Sequence, residues 1–112
     1  MAPIAEIEHR WVETGRPIAL LVLLEYEYPM VLDKIKGTSI SAQDLSKMVA
    51  YSLDFDSRHW AEKAVTWIEA GFPIDKETCG KLMEISASKR DSQSLRHRSL
   101  KQAKRWLRKV DT

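Results

Sequence analysis

An eight-residue segment occurs twice in this chain and constrains its fold more than any other feature. Residues 11–18 read Trp-Val-Glu-Thr-Gly-Arg-Pro-Ile and residues 67–74 read Trp-Ile-Glu-Ala-Gly-Phe-Pro-Ile, so five of the eight positions are identical. Gly15 and Gly71 can adopt the left-handed conformation that ends a helix, and Pro17 and Pro73 fit the first turn of a following helix. The repeat therefore predicts two Gly-x-Pro corners between helices.

The two copies lie half a chain apart in a protein of 112 residues, which allows two similar three-helix halves joined through these corners. However, any joint between two helices converges on glycine and proline, and two copies are fewer than a stacked repeat array needs. Internal duplication and independent convergence both stay open at this point. The corners are predicted in either case.

Hydrophobic spacing predicts about six helices and no strand of alternating polarity. The first covers about residues 3–14. The second begins at Pro17 with an apolar run, 18–24, typical of a central, fully surrounded helix, and continues to about residue 35 with a kink or break at Pro29. A capping motif, Ser41 followed by Asp44, starts the third helix. The others are expected at about 57–70, 75–87 and 95–110. We predict a single all-α domain over residues 1–112.

Each predicted helix has an apolar stripe that we expect to face the core. The inward side chains are expected to be Ile4, Ile7, Trp11 and Val12 in the first helix; Leu45, Met48, Val49 and Leu53 in the third; Trp60, Ala61, Ala64, Trp67 and Ile68 in the fourth; Cys79, Leu82, Met83 and Ser86 in the fifth; and Leu100, Ala103, Trp106, Leu107 and Val110 in the sixth. All four tryptophans belong to these stripes, so core packing explains them better than base stacking.

Composition indicates a soluble protein of the cytoplasm. The single cysteine excludes an intrachain disulfide and suits a reducing compartment. No basic region followed by an apolar run opens the sequence, and the longest apolar run is too short to cross a bilayer. We therefore expect no signal peptide and no membrane association.

The strongest functional signal is the uneven distribution of charge. Residues 1–88 contain 9 Lys/Arg and 14 Asp/Glu, a net charge of −5, whereas residues 89–112 contain 9 Lys/Arg and 2 Asp/Glu, a net charge of +7. The sixth helix carries most of these cations, and the candidate binding residues are Arg96, Arg98, Lys101, Lys104, Arg105, Arg108 and Lys109. Such a helix suits the phosphates of nucleic acid. An acidic protein surface, including a second copy of this chain in a homodimer, is the alternative partner. A solvated face that complements the acidic remainder of the chain is the third explanation.

A helix-turn-helix, a more specific DNA-binding motif, receives little support. A helix-turn-helix could span about 41–70, but its second helix would expose Glu62 and Glu69, and Asp54 and Asp56 precede it, where phosphate contacts are needed.

Two carboxylate-histidine pairs, Glu6 with His9 and Asp56 with His59, have the spacing found in helical di-iron sites, to which Glu25 and Glu27 could add ligands. Because surface residues explain these pairs more simply, we expect no metal and no cofactor.

No catalytic motif is visible. Cys79 lies on the predicted inner face of its helix, where cysteine normally acts as a small hydrophobic residue. The four glycines form no phosphate-binding loop or nucleophile elbow. We therefore expect a non-catalytic binding protein, associated with nucleic acid or regulatory. The alternative is an adaptor or inhibitor that binds an acidic protein partner.

Overall fold

The computed structural model describes residues 3–110, and every regular element in that range is helical, as predicted. The elements in chain order are α1 (Ile4–Thr14), a 3₁₀ helix (Pro17–Glu25), α2 (Val31–Lys34), α3 (Ala42–Asp54), α4 (Arg58–Glu69), α5 (Lys76–Ala87) and α6 (Gln93–Val110). The all-α class and the compact helical bundle are thus confirmed. The described region has seven helical elements because the predicted second helix is divided into two.

Both glycine corners end helices in the predicted way. Gly15 has φ 64° and donates its backbone N–H to the Trp11 carbonyl oxygen at 2.7 Å, and Gly71 has φ 111°. Pro17 is the first residue of the 3₁₀ helix. The role predicted for Pro73 is wrong: residues 72–75 are not helical, and α5 begins at Lys76. The elements that follow the two corners therefore differ.

The prediction of a long central helix is wrong about the type of helix and correct about a break near Pro29. Residues 17–25 form a 3₁₀ helix, the chain becomes extended at Tyr26, and only one further turn, α2, follows Pro29. The buried side chains of the 3₁₀ helix form two pairs spaced by three, Leu20 with Leu23 and Leu21 with Leu24. A helix of three residues per turn aligns such pairs.

The 3₁₀ helix is also less enclosed than its composition predicts. Ile18 is 48% exposed and Val22 is half-buried, so the element lies along one side of the core. The 3₁₀ helix lies next to α3, α1 and α4. Trp67 of α4 joins the same buried cluster and donates its indole N–H to the Tyr26 carbonyl oxygen at 2.9 Å. Trp60 is only half-buried and packs against the edge of this cluster.

The predicted inward faces are accurate for α3 and less so for the other helices. Leu45, Met48, Val49 and Leu53 are all buried, and the predicted capping box is formed by reciprocal bonds between Ser41 and Asp44. Four predicted core residues are exposed instead: Val12, Met83, Leu107 and Val110. Ser86 is half-buried, and Ile85 takes an inward position in α5.

Helices α5 and α6 form an antiparallel hairpin, which explains the exposure at the end of α6. Arg96 lies against Ser86, and the Cys79 sulfur lies 3.7 Å from the Ala103 carbonyl oxygen, so the chain directions are opposed. α6 has 18 residues and α5 has 12. The last turns of α6 therefore extend past the start of α5, and Leu107 and Val110 lack that partner.

Candidate functional site

The seven predicted site residues of α6 separate into two groups, and the first group faces inward. The Arg98 guanidinium donates from Nη2 to Glu69 Oε1 at 2.7 Å and from Nε to Glu69 Oε2 at 3.1 Å. It also donates to the Thr66 hydroxyl at 3.0 Å. The bonds to Glu69 raise the pKa of Arg98. Arg96 donates to the Ser86 carbonyl oxygen at 3.3 Å. Both arginines thus attach α6 to its neighbouring helices.

The second group forms what we term the outward cationic face: Lys101, Lys104, Arg105, Arg108 and Lys109. All five residues are exposed, and their spacings of three and four place them on neighbouring turns of one helix surface. No carboxylate interrupts residues 93–110. Within residues 3–110, no ion pair is formed by Lys101, Lys104, Arg105 or Arg108. A dense, solvent-facing cluster of positive charge results.

The opposite face of α6 contains polar residues that the sequence did not identify as buried. Leu95, Ser99, Gln102 and Ala103 are buried, and Trp106 is half-buried on the same face. The Ser99 hydroxyl is the one fully enclosed side-chain oxygen or nitrogen in the described chain without a hydrogen-bond partner. Small and amphipathic side chains at these positions let α6 pack closely against α5 and α4.

A cleft of about 310 Å³ opens beside this face, between the last turns of α6 and the segment that links α4 to α5. We term it the Trp106 cleft. Its apolar walls include Phe72, Ile74 and Trp106. Gln102 also lines the cleft, and Arg105 and Lys109 connect it to the outward cationic face. The same end of α6 therefore presents charge and an apolar recess side by side.

Arg58, the first residue of α4 in the possible helix-turn-helix, forms structural contacts. Arg58 donates from Nε to Asp91 Oδ1 at 2.5 Å and from Nη2 to Asp91 Oδ2 at 3.2 Å, and its Nη1 reaches the Phe55 carbonyl oxygen at 2.8 Å. Since Glu62 also remains exposed, α4 offers little to a phosphate. The sequence did not identify Asp91 as buried. Its position as the one acidic residue in the basic stretch 89–110 was the available signal.

The two carboxylate-histidine pairs do not combine. His9 lies 3.4 Å from Glu13 on α1, whereas His59 lies 2.8 Å from Glu25. The bond to His59 is the main cause that lowers the pKa of Glu25. In the part of the chain that the structure describes, no group of three or more His, Cys, Asp or Glu residues is placed to hold a metal ion.

The cysteine is buried, as predicted. Cys79 lies against Ala103 in the α5–α6 hairpin, and burial raises the pKa of its thiol. Since the thiolate is the reactive form, this environment disfavours nucleophilic chemistry at Cys79.

Comparison with protein-family models, curated proteins and solved structures finds no match to this chain. Across residues 3–110, none of the helices combines the length and the apolar character that a membrane span requires. A functional assignment therefore depends on the chemistry of α6 and its surroundings.

Proposed function

We propose that this domain binds nucleic acid through the outward cationic face of α6, by contacts to phosphate groups. The observation that supports it is the concentration of five exposed cations within residues 101–109, with no carboxylate among them. Lysine and arginine neutralise phosphate charge, and arginine can bind two phosphate oxygens at once. The buried face of α6 packs against α4 and α5, and this packing keeps the five cations at fixed spacings on the exposed face.

The proposed contacts are made mainly to the backbone of the nucleic acid. Arg96 and Arg98 are left out because their guanidinium groups bond to Ser86, Thr66 and Glu69. We propose a non-catalytic role in the cytoplasm, where nucleic acid is accessible and the Cys79 thiol stays reduced.

The salt dependence of binding tests this proposal. Log affinity for duplex DNA should fall with log salt with a slope of about −0.9 for each phosphate contact. Replacing Lys101 and Arg108 together with glutamine should make this slope shallower by about two units. Fluorescence anisotropy with a labelled oligonucleotide over a range of salt concentrations measures the slope, and circular dichroism checks the fold.

The matched control is the double variant Lys34→Gln/Lys47→Gln, which loses the same charge at exposed positions of α2 and α3. We expect its slope to equal that of the wild type. An equal reduction in both double variants would show that binding follows net charge alone. Absence of salt-sensitive binding to any duplex or single strand at low ionic strength would refute the proposal.

The second candidate is an acidic protein surface, and one observation favours it. Leu107 and Val110 are 40% and 53% exposed beside the outward cationic face. Apolar side chains do not bind phosphate groups, but they can pack against a protein partner. Pull-down from a lysate with and without nuclease separates the candidates, because a protein partner survives nuclease treatment. Light scattering at several concentrations would detect the homodimer form of this candidate.

A further inference from the structure

Gln102 is a buried polar side chain on the inward face of α6. It is 6% exposed, and within residues 3–110 its amide forms no hydrogen bond. Since neither amide atom is among the fully enclosed unpaired atoms, the amide keeps its solvent contact, and Gln102 lines the Trp106 cleft. A ligand that displaced this solvent would have to satisfy both a donor and an acceptor.

The volume and the lining of the Trp106 cleft suit one flat ring system. Its volume of about 310 Å³ is at the small end of the range for ligand pockets. Phe72 and Ile74 supply apolar contacts, and the half-buried Trp106 leaves part of its indole accessible. Stacking on an aromatic side chain is the usual way in which proteins hold an unpaired base.

The charges at the cleft connect it to the proposed phosphate contacts. Arg105 and Lys109 line the cleft and also belong to the outward cationic face. A strand whose phosphates follow α6 would therefore pass the mouth of the cleft. Relying on the function proposed above, we propose that the Trp106 cleft accepts one unpaired base of a single-stranded nucleic acid.

In this arrangement each lining group has a separate part. Trp106 stacks on the base, the Gln102 amide bonds to the base edge, and Arg105 and Lys109 contact the flanking phosphates. A base edge such as that of adenine presents a donor beside an acceptor, which matches a glutamine amide. A carboxylate of an acidic peptide offers acceptors only and would leave half of the amide unsatisfied. The cleft thus favours a base over an acidic side chain.

A comparison of one oligonucleotide as a single strand and as a duplex tests the cleft. We expect the wild type to bind a labelled adenine-rich strand more tightly than the same strand annealed to its complement. Gln102→Met keeps the length of the side chain and removes both hydrogen-bonding groups. It should weaken single-strand binding by roughly five- to a hundredfold, the loss of one bidentate contact between an amide and a base, and leave duplex binding unchanged.

A second pair of variants keeps the test independent of that substitution. Arg105→Gln and Arg108→Gln remove the same charge from neighbouring turns, but only Arg105 lines the cleft. Both should weaken duplex binding equally, and Arg105→Gln should weaken single-strand binding further. Thermal melting of each variant establishes that the fold is retained.

The outcomes distinguish the cleft from the cationic face. The cleft proposal would be overturned if the wild type bound the single strand and the duplex equally, Gln102→Met bound the single strand as tightly as the wild type, and Arg105→Gln and Arg108→Gln lost the same affinity. The proposed phosphate contacts of α6 would be unaffected by that result. Absence of binding to either would overturn both. Displacement of the strand by adenosine monophosphate at equal concentration would assign the cleft to a free nucleotide and would overturn the proposal for a strand. Equal displacement by a poly-glutamate peptide would show a surface for anions in general, and would also overturn the proposal.

Discussion

Two ion pairs of similar geometry should contribute unequally, because they differ in burial. The Asp91 side chain is fully buried and that of Arg58 is 20% exposed, whereas the Glu69 and Arg98 side chains are each about a third exposed. Asp91→Ala should lower the free energy of unfolding by about 3–5 kcal/mol, since it leaves a guanidinium largely buried without its counterion. Glu69→Ala should cost less than about 1 kcal/mol because solvent screens the remaining charge. Urea denaturation measures both, and equal losses would contradict this explanation.

The acid stability of α5 should depend on its N-cap residue, Asp75. The Asp75 carboxylate accepts the Thr78 backbone N–H at 2.8 Å, and this bond is the main cause that lowers the pKa of Asp75 below its ordinary value of 3.8. A carboxyl whose pKa is lower in the folded state stabilises that state above the unfolded pKa. The contribution is lost as pH falls through the folded pKa. Thermal melting between about pH 5 and pH 2 should therefore show a steeper loss for the wild type than for Asp75→Asn, which keeps a capping oxygen but does not titrate.

The neutral-pH control for that prediction is Asp75→Ala, which removes the capping acceptor altogether. We expect it to cost about 1 kcal/mol at pH 7. If Asp75→Asn and the wild type lost stability in parallel on acidification, the pH dependence would arise from other carboxylates.

At the scale of the element, the 3₁₀ helix should show a sharp contrast between adjacent residues. Leu23 is fully buried and Val22 is half-buried, although both belong to one uninterrupted apolar run. Leu23→Ala should cost about 2–5 kcal/mol through lost burial and the cavity left behind. Val22→Ala should cost about 1 kcal/mol or less, since less apolar surface is involved. Chemical denaturation of the two variants checks the difference, and similar costs would mean that the run is enclosed on all sides.

For the molecule as a whole, the α5–α6 hairpin should unfold together with the other helices. Leu82, Leu95 and Ala103 belong to the same buried cluster as the leucines of the 3₁₀ helix. Three ion pairs also join the hairpin and its connecting loop to α3 and α4: Lys81 with Asp54, Arg58 with Asp91, and Arg98 with Glu69. We predict one cooperative thermal transition, coincident by circular dichroism and tryptophan fluorescence. An earlier transition in either signal would show that the hairpin is a separate unit.

The local features of the fold were predictable because their causes lie within a few residues of one another. Gly15 and Gly71 end helices through a conformation that glycine adopts readily, and Ser41 with Asp44 forms a cap across three residues. The apolar stripe of α3 was read correctly for the same reason. The 3₁₀ geometry of residues 17–25 was not predicted, because a run of consecutive apolar residues contains no polar position to indicate which type of helix it forms.

By itself, the sequence determined the helical class, the helix stops at Gly15 and Gly71, the Ser41–Asp44 cap and the placement of positive charge on the last helix. Only the tertiary structure decided which of those cations face solvent. Arg98 and Arg105 are both arginines of the same basic helix, so local sequence does not distinguish them. Glu69, 29 residues before Arg98, accepts hydrogen bonds from Arg98, whereas Arg105 is exposed. The Trp106 cleft likewise brings Phe72, Ile74 and Gln102 together around one cavity. Such contacts depend on how the helices pack, because long-range partners are selected by the shape of the whole core and not by local spacing.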